Sequence, residues 1–266
     1  MPLYFKTTTF VSMDSYELTI IVPVYNEIEN LLQFQKEGEN FLKQSPIDST
    51  FLVIDDGSDD GSLELIKSIC LENPKFRFVS LDRNYGLSTA IKTGIDLCST
   101  NLVGYIDADL QVKPLDFLHF FPYLPEYNMV NGIRRNRSDG LIKKVSSKIA
   151  NSFRRLVIND GIEDTCCPLK IMKTDYAKRI PFFDGMHRFI PALVQLLGGS
   201  VKQIEIDHYS RYAGTSKYHL RNRLVGPFFD TLAFYWMRHR FIKYRVIDQS
   251  SESIKIVERE DYTHFF

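Results

Sequence analysis

Hydrophobic residues in the N-terminal part of the chain form short continuous runs separated by longer amphipathic segments. The runs predict four strands, at residues 18–26, 50–58, 76–81 and 102–107. The segments between them predict helices at residues 27–44, 60–71 and 86–98. Continuous apolar runs are typical of strands buried on both faces, and strands alternating with helices indicate βαβ units. The sequence therefore predicts an α/β fold with a mostly parallel central sheet and flanking helices.

Polar and acidic residues follow three of these runs. The stretches are PVYNE (23–27), DDGSDDGS (55–62) and DADLQ (107–111). Ligands of open parallel sheets bind at the carboxyl ends of the strands, so we expect the three clusters to meet in one crevice. Side chains alternate along an extended chain, which places Asp107, Asp109 and Gln111 on one face.

The carboxylates of Asp107 and Asp109 are close in sequence, and their mutual repulsion must be offset. Each raises the pKa of the other unless a positive charge lies between them. Asp109 and Gln111 offer hard oxygen ligands of the kind that bind Mg²⁺ or Mn²⁺. The GxGxxG phosphate fingerprint is absent from the sequence, so we expect aspartate side chains to hold a nucleotide and a divalent cation to carry its diphosphate. A solvated acidic loop is the alternative.

Composition sets the other bounds. A chain of 266 residues with 44% hydrophobic residues suits one large domain, and a formal net charge of zero gives no indication of nucleic-acid binding. The four cysteines have no CxxC spacing, which is typical of reduced intracellular thiols. We find no export signal, and no apolar run reaches the ~18 residues that span a bilayer.

Basic residues are concentrated in two segments. Residues 134–155 contain eight Lys or Arg against the single acid Asp139. The mostly apolar stretch 224–237 is followed by five basic or titratable residues within 238–245. This second segment predicts a helix at a membrane interface, or otherwise a packed helix or an oligomer surface.

Several motifs, in this order and spacing, resemble those of family 2 glycosyltransferases with the GT-A fold. They are IIVPVYNEIENL, LVIDDGSDDGS, LDRNYGLSTAIKTGI and YIDADLQVKP. The later stretches GIRRNRSDGLIKKVSSKIANSF, DTCCPLKIM and HYSRYAGTSKY resemble the polyprenyl-phosphate branch of that family, which includes dolichyl-phosphate mannosyltransferase. The resemblance extends to about residue 220.

The resemblance implies an inverting enzyme that moves a sugar from a GDP- or UDP-sugar to undecaprenyl or dolichyl phosphate, with Mg²⁺ or Mn²⁺ as cofactor. It assigns donor binding to Pro23, Tyr25, Asn26, Glu27, Asp55, Asp56, Gly57, Ser58, Asn84, Gly86 and Asp107. It assigns the acceptor phosphate to Arg134, Lys143, Lys144, Ser147, Arg211 and Ser216, and the metal to Asp109 and Gln111. The expected catalytic residues are Asp107, Asp109, Arg134, Arg211 and Lys217.

On this reading the chain divides into three parts. We expect a flexible leader at 1–16, a glycosyltransferase domain at 17–220, and a C-terminal helix with a polar tail at 221–266. Within the domain, 17–115 would hold the nucleotide-sugar and metal, and 116–220 the acceptor. We expect a cytoplasmic protein, peripheral on the cytoplasmic face of a membrane, which meets its lipid at the membrane surface or through a membrane-anchored partner. A homo-oligomer is possible.

Two departures from the branch pattern leave alternatives open. The second basic position is Lys rather than Arg, and DTCCPLK replaces a more usual Ser-Gly-Phe type of stretch. One alternative is a soluble family 2 transferase that acts on a hydroxyl acceptor, with Glu163 or Asp164 as general base. The other is a catalytically silent nucleotide-sugar binding module, against which the intact donor and metal motifs argue.

Overall fold

The computed structural model describes residues 15–135, 156–213 and 220–242. The strands are β1 (Glu17–Val24), β2 (Asp48–Asp55), β3 (Phe76–Ser80), β4 (Leu102–Tyr105), β5 (Met129–Arg134), β6 (Lys170–Lys173) and β7 (Val201–Ile206). The helices are α1 (Ile28–Gln44), α2 (Ser62–Glu72), α3 (Leu87–Leu97), α4 (Thr174–Arg179), α5 (Ile190–Leu196) and α6 (Leu220–Arg240). Short 3₁₀ helices occur at Pro114–His119, Phe121–Tyr123 and Met186–Arg188.

The seven strands form one sheet in the order β3-β2-β1-β4-β6-β5-β7. β6 is antiparallel to both of its neighbours, and all other neighbouring pairs are parallel. The predicted mostly parallel sheet is therefore confirmed. β1, β2 and β4 each end two or three residues earlier than predicted, because their polar terminal residues leave the sheet and form loops.

Hydrophobic cores lie on both faces of the sheet. On one face, α1 and α2 bury Leu31, Phe34 and Ile66. There the Phe51 ring of β2 stacks on Phe76 with 4.9 Å between ring centroids. On the other face, α3 to α6 pack together, and Phe234 of α6 is only 2% exposed. The chain thus has the three-layer arrangement that parallel sheets require to cover both faces.

α3 approaches the sheet closely at one glycine. A Cβ atom added at Gly94 would lie 2.7 Å from Cγ1 and 2.8 Å from Cγ2 of Ile21 on β1. Such contacts are too short for real side chains, so the helix can sit at this depth only without a side chain at position 94. The position of α3 matters because its N-terminus, at Gly86 and Leu87, faces the ends of the strands.

The predicted division of the chain into leader, domain and tail stays a prediction, and the described residues relate to it as follows. Described residues begin inside the predicted leader, where Tyr16 packs against the core and Asn101 donates a hydrogen bond to the Ser15 carbonyl (2.8 Å). The two predicted halves of the domain share one sheet, since β5 and β7 join β4 through β6. Most of the basic segment 134–155 lies outside the described residues.

The C-terminal segment forms the long helix α6, as predicted, and α6 carries apolar residues on both its buried and its exposed face. Thr231 and Phe234 are buried against the domain. Phe229 and Trp236 are 63% and 66% exposed. Among the described residues, no helix combines the length and the apolar character needed to cross a membrane.

We predict that Gly94→Ala destabilises the protein although alanine is the better helix former. Helix propensity alone would stabilise by about 1 kcal/mol, whereas overpacking a core costs about 1–3 kcal/mol. Urea denaturation should show a lower midpoint for Gly94→Ala and no decrease for Ser68→Ala, an exposed position of α2. An unchanged or higher midpoint for Gly94→Ala would show that α3 can move away from β1 without cost.

Candidate active site

A cleft of about 770 Å³ opens at the carboxyl ends of β1, β2 and β4. Its wall includes many of the predicted site residues, namely Pro23, Tyr25, Glu27, Asp56, Asn84, Gly86, Asp107, Asp109 and Arg211. The opposite wall is formed by residues that the sequence did not single out, namely Asp184, Gly185, His187, Arg188, Gly226 and Asp230. The three polar clusters therefore do meet in one crevice.

The two aspartates after β2 have different surroundings. Asp55 is fully buried, and its carboxylate accepts hydrogen bonds from the Ser58 amide (3.2 Å) and the Ser80 hydroxyl (2.7 Å). Asp56 lines the cleft and accepts from the backbone amides of Tyr85 and Gly86, both at 2.8 Å. Burial raises the pKa of Asp56, while these two amides oppose the shift.

Asn26, Gly57 and Ser58 join the loops behind the cleft wall. The Ser58 hydroxyl accepts a 2.9 Å hydrogen bond from the backbone amide of Asn26. The side chain of Asn26 donates to the Asp59 carboxylate and accepts from the Asp59 backbone amide. Gly57 has φ +71°, and a Cβ there would lie 2.3 Å from the Arg83 carbonyl carbon. These residues therefore fix the relative position of the loops that carry Tyr25, Asp56 and Asn84.

Asp107 and Asp109 follow β4 and lie at the base of the cleft. The Tyr105 hydroxyl donates a 2.5 Å hydrogen bond to Asp107. Burial, reinforced by the charge of Asp109, raises the pKa of Asp107 to about 6. Tyr105, Arg134 and Lys170 favour its charged form and limit the shift.

Arg211 places a positive charge directly beside these acids. Its Nη2 lies 2.9 Å from Oδ2 of Asp109, and its Nη1 lies 3.5 Å from Oε1 of Glu27. The loop after β7 is held there by the Tyr209 amide, which donates to the Gln111 carbonyl (3.0 Å). Gln111 thus anchors the loop through its backbone, and its side chain is not part of the cleft wall.

Arg134, at the end of β5, does not line the cleft. Its Nε and Nη2 donate to the two carboxylate oxygens of Asp164 at 2.8 and 2.9 Å, and its backbone amide donates to Oδ2 at 3.3 Å. Both side chains are about nine-tenths buried. Burial by itself would lower the pKa of Arg134, but the hydrogen bonds and the charge of Asp164 outweigh it and raise this pKa.

This pairing bears on the hydroxyl-acceptor alternative. Both carboxylate oxygens of Asp164 are engaged by Arg134, and the adjacent Glu163 is exposed and also absent from the cleft wall. A general base must come within hydrogen-bond reach of the proton that it removes. Neither candidate base has that placement in the cleft.

The opposite wall combines the turn 184–188 with α6. Arg188 Nη1 lies 3.7 Å from Oδ2 of Asp230. Burial raises the pKa of Asp230; Arg188 opposes this shift and Asp184 adds to it. Gly226, Asp230 and Phe234 recur every fourth residue and so share one face of α6, but this spacing alone does not mark a cleft wall in the sequence.

Five predicted acceptor or catalytic residues lie outside the described residues: Lys143, Lys144, Ser147, Ser216 and Lys217. The described ranges also contain no group of three or more His, Cys, Asp or Glu side chains arranged to hold a metal ion. Asp107 and Asp109 are a pair of carboxylates in the cleft. That donor set fits Mg²⁺ or Mn²⁺ held by one or two carboxylates together with phosphate oxygens.

Comparison with solved structures identifies the class of fold. Mannosyl-3-phosphoglycerate synthase from Rubrobacter xylanophilus superposes with a TM-score of 0.66 at 16% identity, over 90% of this chain and 79% of that one. Glucosyl-3-phosphoglycerate synthase from Mycobacterium tuberculosis, in complex with Mn²⁺ and UDP-glucose, gives 0.64 at 15% identity, over 83% and 79%. The fold is therefore that of GT-A glycosyltransferases, as predicted.

Sequence comparison identifies the family. Residues 19–180 match the family model described as Glycosyl transferase family 2, so the chain belongs to that family, and it is a glycosyltransferase. It is 30% identical over 235 residues to dodecaprenyl-phosphate galacturonate synthase of Rhizobium johnstonii, covering 86% of this chain and 69% of the relative. It is 29% identical over 221 residues to undecaprenyl-phosphate 4-deoxy-4-formamido-L-arabinose transferase of Pectobacterium carotovorum, covering 82% and 67%. The prediction of the family and of its polyprenyl-phosphate branch is confirmed.

We predict that Arg134→Ala lowers the free energy of unfolding by about 3–5 kcal/mol, because it leaves the buried carboxylate of Asp164 without its partner. The exposed pair Arg135–Glu205 next to it is a matched control, and Arg135→Ala should change the free energy of unfolding far less.

A double-mutant cycle with Asp164→Ala measures the coupling of the two side chains. We expect the Arg134→Ala/Asp164→Ala double variant to lose clearly less than the sum of the single variants. Additive losses would mean that the two side chains do not stabilise each other.

Proposed function

We propose that this chain transfers a sugar from a nucleotide-sugar to a polyprenyl phosphate, with inversion at the anomeric carbon. The observation that carries the proposal is the similarity to polyprenyl-phosphate sugar transferases over more than four-fifths of the chain. The cleft supports it, because acidic donor motifs from three strand ends meet there with Arg211.

The donor would bind in the N-terminal half of the cleft. Tyr25, Asp56 and Asn84 line the part nearest β1 to β3 and suit the base and ribose. Asp109, with Asp107 and Gln111 nearby, would hold Mg²⁺ or Mn²⁺. The cation, when bound, neutralises the diphosphate leaving group. Arg211 adds positive charge at the same place, since it contacts both Asp109 and Glu27.

The acceptor would supply its own nucleophile. A phosphate monoester is already an anion at neutral pH, so its attack on the anomeric carbon needs no general base. This agrees with the engagement of Asp164 by Arg134. The acceptor site would comprise Lys143, Lys144, Ser147, Arg211, Ser216 and Lys217. Arg134, expected at the same site, instead pairs with Asp164 and does not line the cleft. One direct displacement then inverts the configuration.

We further infer that α6 lies at the membrane surface, on the cytoplasmic side where nucleotide-sugars are available. Phe229 and Trp236 project from its exposed face, and Arg238, His239 and Arg240 end the helix. Interfacial helices combine buried apolar side chains with basic residues near anionic head groups. Gly226 and Asp230 of the same helix line the cleft, so membrane binding would bring the cleft to the lipid.

The direct test offers one lipid in two chemical forms. The full chain is incubated with UDP-glucose, UDP-galacturonate or GDP-mannose, together with undecaprenyl phosphate or the free alcohol undecaprenol, and products are identified by mass spectrometry. We expect a glycosylated lipid phosphate from at least one donor and no product from undecaprenol. Transfer to undecaprenol alone would establish the hydroxyl-acceptor alternative.

We predict that Asp109→Ala reduces turnover by about 10²-fold or more, the size of effect expected when charge stabilisation of the leaving group is lost. Asp96→Ala is the control, because Asp96 pairs with Lys92 on the exposed surface of α3. Initial rates should be compared over a range of Mn²⁺ concentrations. If Asp109→Ala keeps more than about a tenth of wild-type turnover, Asp109 does not support the leaving group.

We predict that Phe229→Glu/Trp236→Glu abolishes binding to anionic liposomes, because charged groups replace the apolar side chains that would enter the interface. Leu71→Glu/Leu97→Glu is the matched control, since those leucines are 88% and 57% exposed on other helices. In a flotation assay, the control variant should still float with the liposomes. Equal flotation of both variants would mean that α6 has another partner.

A further inference from the structure

His187 is a cleft residue whose two ring nitrogens have different environments. Its Nδ1 lies 2.9 Å from the hydroxyl of Ser88, at the start of α3. That hydroxyl oxygen also accepts a 3.0 Å hydrogen bond from the Gly185 amide. The Ser88 hydroxyl also has one proton of its own to donate, and Nδ1 of His187 is an acceptor that lies within hydrogen-bond distance of it.

The imidazole is neutral in this environment. Burial, aided by the positive charges of Arg188 and Lys170, lowers the pKa of His187 to about 3. A neutral histidine carries one ring proton, and with Nδ1 accepting from Ser88 that proton is on Nε2. Nε2 makes no hydrogen bond with the described residues and is not fully buried, and His187 lines the cleft. The Nε2–H group is thus available to a ligand.

The charges nearby indicate which part of a nucleotide-sugar reaches His187. This wall of the cleft presents the carboxylates of Asp184 and Asp230 and the guanidinium of Arg188. Two carboxylates repel a diphosphate but accept hydrogen bonds from sugar hydroxyls. The diphosphate is better served at the other wall, where Arg211 and the proposed cation site lie.

We propose that His187 is a sugar-contacting residue that donates its Nε2–H to a hydroxyl of the transferred sugar, with Ser88 holding the required tautomer. This inference rests on the proposed function and names the subsite that receives the sugar. A neutral donor suits a hydroxyl oxygen, and the hydrogen bond from Ser88 fixes both the ring orientation and the position of the proton.

Binding measurements test the contact without the lipid acceptor. Calorimetry compares UDP-glucose, UDP-galacturonate and GDP-mannose with UDP and GDP alone. For His187→Phe we expect the nucleotide-sugar to bind about tenfold more weakly and the nucleoside diphosphate to bind as in wild type, since one hydrogen bond is lost. His187→Gln, whose amide can also donate, should recover much of the affinity.

The outcomes separate this inference from the function it rests on. If wild type binds none of the nucleotide-sugars, the proposed function fails and the inference fails with it. If wild type binds them but His187→Phe weakens the sugar-free diphosphate equally, or changes nothing, only the role of His187 is overturned. Thermal unfolding of both variants shows whether the fold is kept. If His187→Phe does not fold, Ser88→Ala takes its place, and an unchanged affinity of that variant for the nucleotide-sugar overturns the contact.

Nitrogen-15 NMR tests the tautomer directly. The chain has six histidines, and the signal that disappears in His187→Gln identifies His187. We expect a protonated Nε2 and an unprotonated Nδ1 from pH 5 to pH 8 in wild type. In Ser88→Ala we expect a mixture of tautomers and a smaller loss of nucleotide-sugar affinity in the same direction. A protonated Nδ1 in wild type would overturn the proposal.

Discussion

The structure depends on holding several carboxylates together at the ends of neighbouring parallel strands. The parallel order of β1, β2 and β4 brings Glu27, Asp56 and Asp109 to one cleft whether or not their charges repel. Each is compensated in its own way. Backbone amides of the β3–α3 loop satisfy Asp56, and Arg211 lies between Asp109 and Glu27. A cleft built in this way attracts cations, which agrees with the divalent cation that we propose there.

Arg211 offsets the negative charge of Asp109 and Glu27, so the cleft is built by residues from both the N-terminal and the C-terminal part of the chain. Arg211 follows the last strand, yet its partners are at the ends of β1 and β4. α6 adds Gly226 and Asp230 to the opposite wall and is held to the domain by the stacking of Phe234 on Phe189, with ring centroids 5.7 Å apart. Residues 17–115, which carry the donor motifs, therefore form only one wall of the cleft. The other wall is supplied by the C-terminal part, whose exposed face we assign to the membrane.

The sequence predicted those features of the fold and of the site that depend on the local pattern of apolar and polar residues. Continuous apolar runs placed the first four strands and three helices to within a few residues, because burial on both faces constrains every position of such a strand. It also predicted that Asp56, Asp107 and Asp109 would share a crevice, since parallel strands end at the same edge. It did not predict that Asp55 would be fully buried and bonded to Ser58 and Ser80 while Asp56 lines the cleft. That difference is set by loops that meet only in the fold.

Contacts between segments that are distant in the chain could not be predicted from the local sequence pattern. The pairing of Arg134 with Asp164 joins residues thirty positions apart, and the Ser88–His187 hydrogen bond joins residues 99 apart. Nothing in the spacing of these residues specifies a partner. From the sequence we expected Arg134 at the acceptor site and Asp164 as a candidate base. In the structure the two side chains form a salt bridge with each other and are about nine-tenths buried.

The central claim is that an acceptor phosphate displaces the nucleotide directly in this cleft. The most direct measurement is the anomeric configuration of the sugar in the lipid-linked product, read by proton NMR with coupling to phosphorus. The account predicts a sugar bonded to the lipid phosphate through its anomeric carbon, with the configuration opposite to that of the donor. Retained configuration, or a sugar bonded to a hydroxyl with no phosphorus coupling, would contradict it.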